Sequence, residues 1–212
     1  MQPAHTTEDL YRQLAEVGSL AVGRGLVLAS GGNLSARLPD SSEFVVTGAG
    51  TWLDRLVPED FTTISLDGGS VVGGTTKPSS EWKLHHRTYL IRPDVNAVIH
   101  LHPQAAVLVD AMGEQIRMFT LDHAYYVRSY GRIGYRPNGS DELADEAAEQ
   151  SREHNAVLMA HHGCSALGPD IGMAFRRAMN FEEAALTTCR ALALGDRHTR
   201  FPDETLAGLA HS

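Results

Sequence analysis

His100 and His102 are the residues of this chain best suited to chemistry. They lie in Ala97-Val98-Ile99-His100-Leu101-His102, an apolar run that reads as a strand ending at Pro103. Alternate residues of a strand share a face, so the two imidazoles project together while Ile99 and Leu101 point the other way. A second apolar run, Ala156 to Ala160, leads into His161-His162-Gly163 and offers a third imidazole, His162. Three neutral imidazoles with a fourth position left open is a common arrangement for catalytic zinc. Glu81, in Lys77-Pro78-Ser79-Ser80-Glu81, is a carboxylate available to move protons beside such an ion. The plainer reading of a lone His-x-His is two histidines at a solvated strand end. A cupin would need a glutamate shortly after the second histidine, and Gln104 to Val107 supplies none.

The elements that must hold these residues are legible from periodicity. Thr6 with Asp9 forms a capping box, and Leu10, Leu14, Val17 and Ala21 make the apolar stripe of a helix that Gly23 and Gly25 end. After Gly31-Gly32-Asn33, the alternation of Leu34, Ala36 and Leu38 predicts a strand, and Phe44 to Thr47 predicts another, closed by Gly48-Ala49-Gly50. Glycines at such turns let backbone N–H groups approach an anion, although most turns of this kind only connect strands. Asp67-Gly68-Gly69-Ser70 marks a hairpin between Phe61 to Leu66 and Val71-Val72.

Ser79 or Ser80 is expected to cap a helix reaching about Leu90, placing hydroxyls and free N–H groups where anions bind. His85 and His86, on that helix, read as packing or surface groups. Ala105 to Met112 predicts a short helix, and Ile116 to Arg136 is a mixed stretch whose aromatic residues suggest packing or a subunit contact. Ser140 caps an acidic helix over Asp141 to Glu153. Asp170 opens a long last helix with Ala178, Phe181, Ala185, Cys189 and Leu192 in its stripe, stopped by Gly195. Arg197 to Ser212 lacks periodicity and reads as a loose tail.

The 212 residues suit a single domain over 1–212, with 42% hydrophobic and 21% charged residues. A formal charge of −8 argues against nucleic acid and anionic membranes as partners. Met1 to Thr7 is polar, no apolar run approaches the roughly 18 residues of a membrane span, and two cysteines make no disulfide framework, so a cytoplasmic protein is expected. Cys164, close to His162, reads as a small buried residue before a soft ligand. Alternating strands and helices joined by hairpins predict an α/β layered domain with a central, mainly antiparallel sheet flanked by helices.

Gly31-Gly32-Asn33-Leu34-Ser35, Val46-Thr47-Gly48-Ala49-Gly50, Lys77-Pro78-Ser79-Ser80-Glu81-Trp82, His100-Leu101-His102 and His162-Gly163 resemble, in order and spacing, the class II aldolase/adducin family. The resemblance runs from Leu10 to Leu194. It implies a zinc-dependent aldolase, with one Zn2+ per chain on His100, His102 and His162, that cleaves a ketose 1-phosphate to dihydroxyacetone phosphate and an aldehyde through a metal-bound enediolate. It also implies that Glu81 shuttles the proton at the enediolate carbon, that Asn33, Gly50, Ser79 and Ser80 contact phosphate and enediolate, and that the chain forms a homotetramer with active sites between subunits.

Two features depart from the family's fuculose-phosphate aldolases. Thr47-Gly48-Ala49-Gly50 has Ala49 where a hydroxyl stands in them. The position of a tyrosine supplied by a neighbouring subunit falls near Leu121, leaving Tyr125, Tyr126 or His123 to replace it. Within the family the alternatives are methylthioribulose-1-phosphate dehydratase, ribulose-phosphate 4-epimerase or decarboxylase, and an adducin-like binding module without metal.

Overall fold

The computed structural model describes residues 4–202 and 204–205. Helix α1 (Thr7–Gly23) starts as its capping box predicts: Asp9 N donates to Thr6 Oγ1 at 3.1 Å and Thr6 N donates to the Asp9 carboxylate at 3.1 Å. Its stripe of Leu10, Leu14, Val17 and Ala21 is buried. The chain then supplies β1 (Asn33–Ala36), β2 (Glu43–Thr47), β3 (Phe61–Ser65) and β4 (Val71–Gly73), with Gly68 and Gly69 at positive φ in the predicted hairpin turn. Helix α2 (Trp82–Ile91), β5 (Ala97–Leu101), α3 (Gln104–Ala111), α4 (Leu121–Tyr126), β6 (Gly131–Ile133) and α5 (Asp141–Ser151) follow. The hairpin of β7 (Ala156–Met159) and β8 (Gly163–Gly168) leads into α6 (Ile171–Ala193), which Asp170 caps through Met173 N.

The strands form one eight-stranded sheet in the order β4-β3-β2-β1-β5-β8-β7-β6. Every neighbouring pair is antiparallel except β6 with β7, as the hairpins and short connections predict. On one face Leu34, Ile99, Leu101 and Ala166 pack with α1 and α6. On the other, Val46, Val98 and Leu167 meet Tyr89 of α2, and Val157 and Met159 meet Leu84 of α2 and Leu143 of α5. The result is a sheet between two helical layers, with β5 near its centre.

Four expectations are corrected. Helix α2 starts at Trp82 with Glu81 as its N-cap residue, not at a capping serine; Ser79 Oγ instead accepts from Glu81 N at 3.3 Å. Strand β8 and the short elements β6 and α4 are additions, β8 being spelled Gly-Cys-Ser-Ala-Leu-Gly without a β-branched residue to announce it. His85 is a fully buried polar hub, not a packing group. The start of the supposed tail is docked: Phe201 N donates to Met118 O at 2.6 Å, and Arg117 donates to the carbonyls of Thr199 and Asp196. The rest of that expectation, over 206–212, lies outside the described residues.

Candidate metal centre

His100 occupies β5, His102 follows the strand's last residue, and His162 lies in the turn between β7 and β8. Because β8 pairs with β5 in the register Leu101↔Cys164, that turn is carried to the end of β5 where His102 emerges. The three ring centroids stand 5.0 to 5.1 Å apart. His100 Nε2 is 3.2 Å from His102 Nε2 and 3.2 Å from Glu81 Oε2, while His162 Nε2 is 3.3 Å from Glu81 Oε1.

Close backbone approach makes this convergence achievable. A Cβ on Gly163 would overlap the Leu101 carbonyl oxygen and stand 2.8 Å from His102 Cδ2. Gly32, at φ 71°, lies where a Cβ would be 2.7 Å from the His100 carbonyl oxygen. Gly32 thus serves the packing of the histidine strand. His161 takes φ 58° in the reversal from β7 to β8, a left-handed conformation uncommon outside glycine, and delivers His162 to the cluster while its own side chain is exposed.

Glu81 is buried. Asn33 Nδ2 donates to its Oε2 at 2.9 Å, whereas Oε1 accepts no hydrogen bond among the described residues. Burial pushes the Glu81 carboxyl up, but the imidazoles of His100 and His162 and the Asn33 amide outweigh it and hold the pKa far below the usual range. Burial, followed by the neighbouring imidazoles of His100 and His162, pushes His102 down to about 4, and burial also lowers His162. At neutral pH these two rings carry lone pairs into the cluster beside a carboxylate oxygen lacking a donor.

A divalent cation fits that set. Ligand atoms about 2.0–2.1 Å from a tetrahedral ion stand about 3.3–3.4 Å from one another, close to the 3.2 Å between His100 Nε2 and His102 Nε2, and one candidate ligand atom from each of the four residues lies within 4.8 Å of the others. Cys164 faces the opposite side of the sheet among Ala105, Ala156 and Phe181, and burial raises its thiol pKa; it is the small core residue expected.

Gly50, Ser79 and Ser80 are brought to the same region by main-chain bonds. Gly48 and Pro78 form an antiparallel bridge in which Ala49 N donates to Lys77 O and Ser79 N donates to Thr47 O. Leu34 N donates to Thr47 Oγ1 at 3.1 Å, tying both turns to the start of β1 beside Asn33. Gly50 and Ser80 are exposed there and Ser79 is buried. His123, Tyr125 and Tyr126 are elsewhere in the chain, on α4, which packs against α6. The residues that sequence reasoning undervalued are His85, Ser35 and Tyr89, which line up behind Asn33.

Fold and site together define a layered α/β protein with a His3Glu cluster suited to a divalent cation. The family described as Class II Aldolase and Adducin N-terminal domain matches residues 12–189, and the chain belongs to it. A 5-methylthioribulose-1-phosphate/5-deoxyribulose-1-phosphate aldolase of Rhodospirillum rubrum is 34% identical over 94% of this chain and 86% of its own. A 3-oxo-tetronate 4-phosphate decarboxylase of Escherichia coli K12 is 31% identical over 93% of each chain. Among solved structures, an L-fuculose 1-phosphate aldolase superposes with a TM-score of 0.87 at 28% identity, covering 97% of this chain and 96% of its own.

Proposed function

We propose that this chain is a zinc-dependent aldolase that cleaves a ketose 1-phosphate into dihydroxyacetone phosphate and an aldehyde. The observation that carries the reading is Glu81, a buried carboxylate beside three imidazoles with one oxygen anchored and the other without a donor. His100, His102 and His162 would hold the ion, and three neutral ligands leave it the positive charge to draw electrons from a carbonyl next to the bond that breaks.

Cleavage leaves an electron pair on the carbon that has lost the aldehyde, and that carbon must gain a proton to become dihydroxyacetone phosphate. Glu81, a carboxylate in the free enzyme, would take a proton from water on Oε1, the oxygen that Asn33 leaves without a donor, and deliver it to that carbon. Gly50, Ser79 and Ser80 bind the phosphate, and the second hydrogen on Asn33 Nδ2 is available to a substrate oxygen. The proton on the hydroxyl that becomes the aldehyde would be relayed to water through Tyr125, Tyr126 or His123 of a neighbouring subunit in a homotetramer, replacing the proton that Glu81 takes up. No helix among the described residues is long and apolar enough to cross a membrane, and we place the enzyme in the cytoplasm.

The test is incubation of zinc-loaded protein with a panel of ketose 1-phosphates, assaying both dihydroxyacetone phosphate and aldehyde. Without aldehyde, the protein should also exchange a proton of dihydroxyacetone phosphate with deuterated water, and this exchange should require Glu81. Its absence from protein with a full metal site would sink the aldolase reading. The Escherichia coli relative favours one second reading, since loss of carbon dioxide beside a ketone leaves the same kind of carbanion. Release of carbon dioxide from a 3-oxo acid phosphate, with no aldehyde from any ketose 1-phosphate, would move the assignment there.

A further inference from the structure

Behind Glu81, Asn33 continues into a row of buried polar side chains, His85, Ser35 and Tyr89, that the reaction above leaves unused. Asn33 Oδ1 lies 2.5 Å from His85 Nε2, His85 Nδ1 lies 2.6 Å from Ser35 Oγ, and Ser35 Oγ lies 2.7 Å from the Tyr89 hydroxyl. The spacing explains the row. Glu81, His85 and Tyr89 recur every fourth residue at the start of α2 and along it, so they share one helix face, while Asn33 and Ser35 alternate on one face of β1. A helix stripe is laid against a strand stripe.

The hydrogens in this row can be assigned. A carboxylate accepts only, so Asn33 must turn its NH2 toward Glu81 and its Oδ1 toward His85. An acceptor at 2.5 Å requires hydrogen on His85 Nε2. Nδ1 of the neutral ring then accepts from Ser35, whose oxygen accepts from Tyr89. Burial, the first cause, and the His100 imidazole push the His85 pKa down to about 3, so a doubly protonated ring is disfavoured. Tyr89 ends the row, only 2% exposed and with the Arg37 guanidinium 5.0 Å from its ring centroid. Among the described residues the row is closed at its Tyr89 end, so it braces Asn33 and carries no proton away from Glu81.

We propose that His85 is a positioning residue: its Nε2–H locks the Asn33 amide with NH2 toward Glu81, and this holds the carboxylate in the single orientation that frees Oε1. The inference rests on the proton role given to Glu81 above.

The test compares His85→Phe, His85→Gln and Glu81→Gln, with metal content and melting temperature measured for each. His85→Phe removes the donor and should keep metal while kcat falls about 10- to 100-fold at a nearly unchanged KM. His85→Gln restores an N–H that can reach Asn33 Oδ1 and should recover most of the loss. In metal-free wild-type protein, nitrogen NMR should show His85 as the Nε2–H tautomer, a readout that needs neither activity nor a folded variant. Wild-type kcat in His85→Phe, equal impairment of Phe and Gln variants with full metal, or an Nδ1–H tautomer in the wild type would each overturn the inference. If Glu81→Gln turns over normally, the underlying reading of Glu81 falls; if it is inactive while His85→Phe is normal, only the brace does.

Discussion

On the proposed reading Glu81 exchanges a proton through Oε1 beside the cation site, while Asn33 holds Oε2. Glu81→Gln keeps size and reach but cannot carry the proton, so turnover should fall about 10²-fold or more while elemental analysis still finds metal on the histidines. His100→Ala should lose the ion itself. Acid sensitivity belongs to this scale too. An unfolded His85 takes up a proton near its ordinary pKa of 6.5, whereas the folded ring resists protonation down to about 3. Stability from this residue is therefore complete above about pH 6.5 and is lost as pH falls toward 3. By about pH 5 metal-free protein should have lost about 2 kcal/mol on this account, and denaturant titrations of wild type and His85→Gln should show the variant losing less. The histidine cluster is legible in the sequence because each imidazole closes an apolar run. The role of His85 is not, since its partners Asn33 and Ser35 are 52 and 50 positions away on another element; the four-residue spacing of Glu81, His85 and Tyr89 is the available signal.

Helices were recognised where a cap and an apolar stripe coincide, as in α1 and α6. Strand β8 is not legible in the sequence because it is built mostly of small residues, and helix α2 starts after the serines because Ser79 serves the turn before it. One helix end is stabilised from a distance. The carboxylate of Glu182 on α6 accepts from Ala105 N and Ala106 N, each at 2.9 Å, and so caps α3 just beyond His102 and Pro103. Glu182→Ala would leave two buried amides without an acceptor. It should cost about 1–3 kcal/mol for each amide, read as a lowered denaturation midpoint, and should weaken metal affinity by loosening the end of β5. Glu182→Gln, which keeps one acceptor oxygen, should lose less of both.

Over the whole chain, alternating elements and hairpin turns were enough to read a layered, mainly antiparallel architecture, but not the order of its strands. That order rests on pairings between distant segments. The cluster sits where β5 meets β1 on one side and β8 on the other; Asn33 pairs with His100, and Ser165, 65 positions from His100, reaches its Nδ1 at 3.4 Å. Long loops must close before either pairing forms, so both belong to the slow part of folding. A cation that needs all its ligands has nothing to grip until these strands have zipped, so it cannot act as a template. Added zinc should therefore slow unfolding and leave refolding at its metal-free rate, shifting only one arm of the chevron. Faster refolding with zinc would mean that ligands gather before the central strands pair.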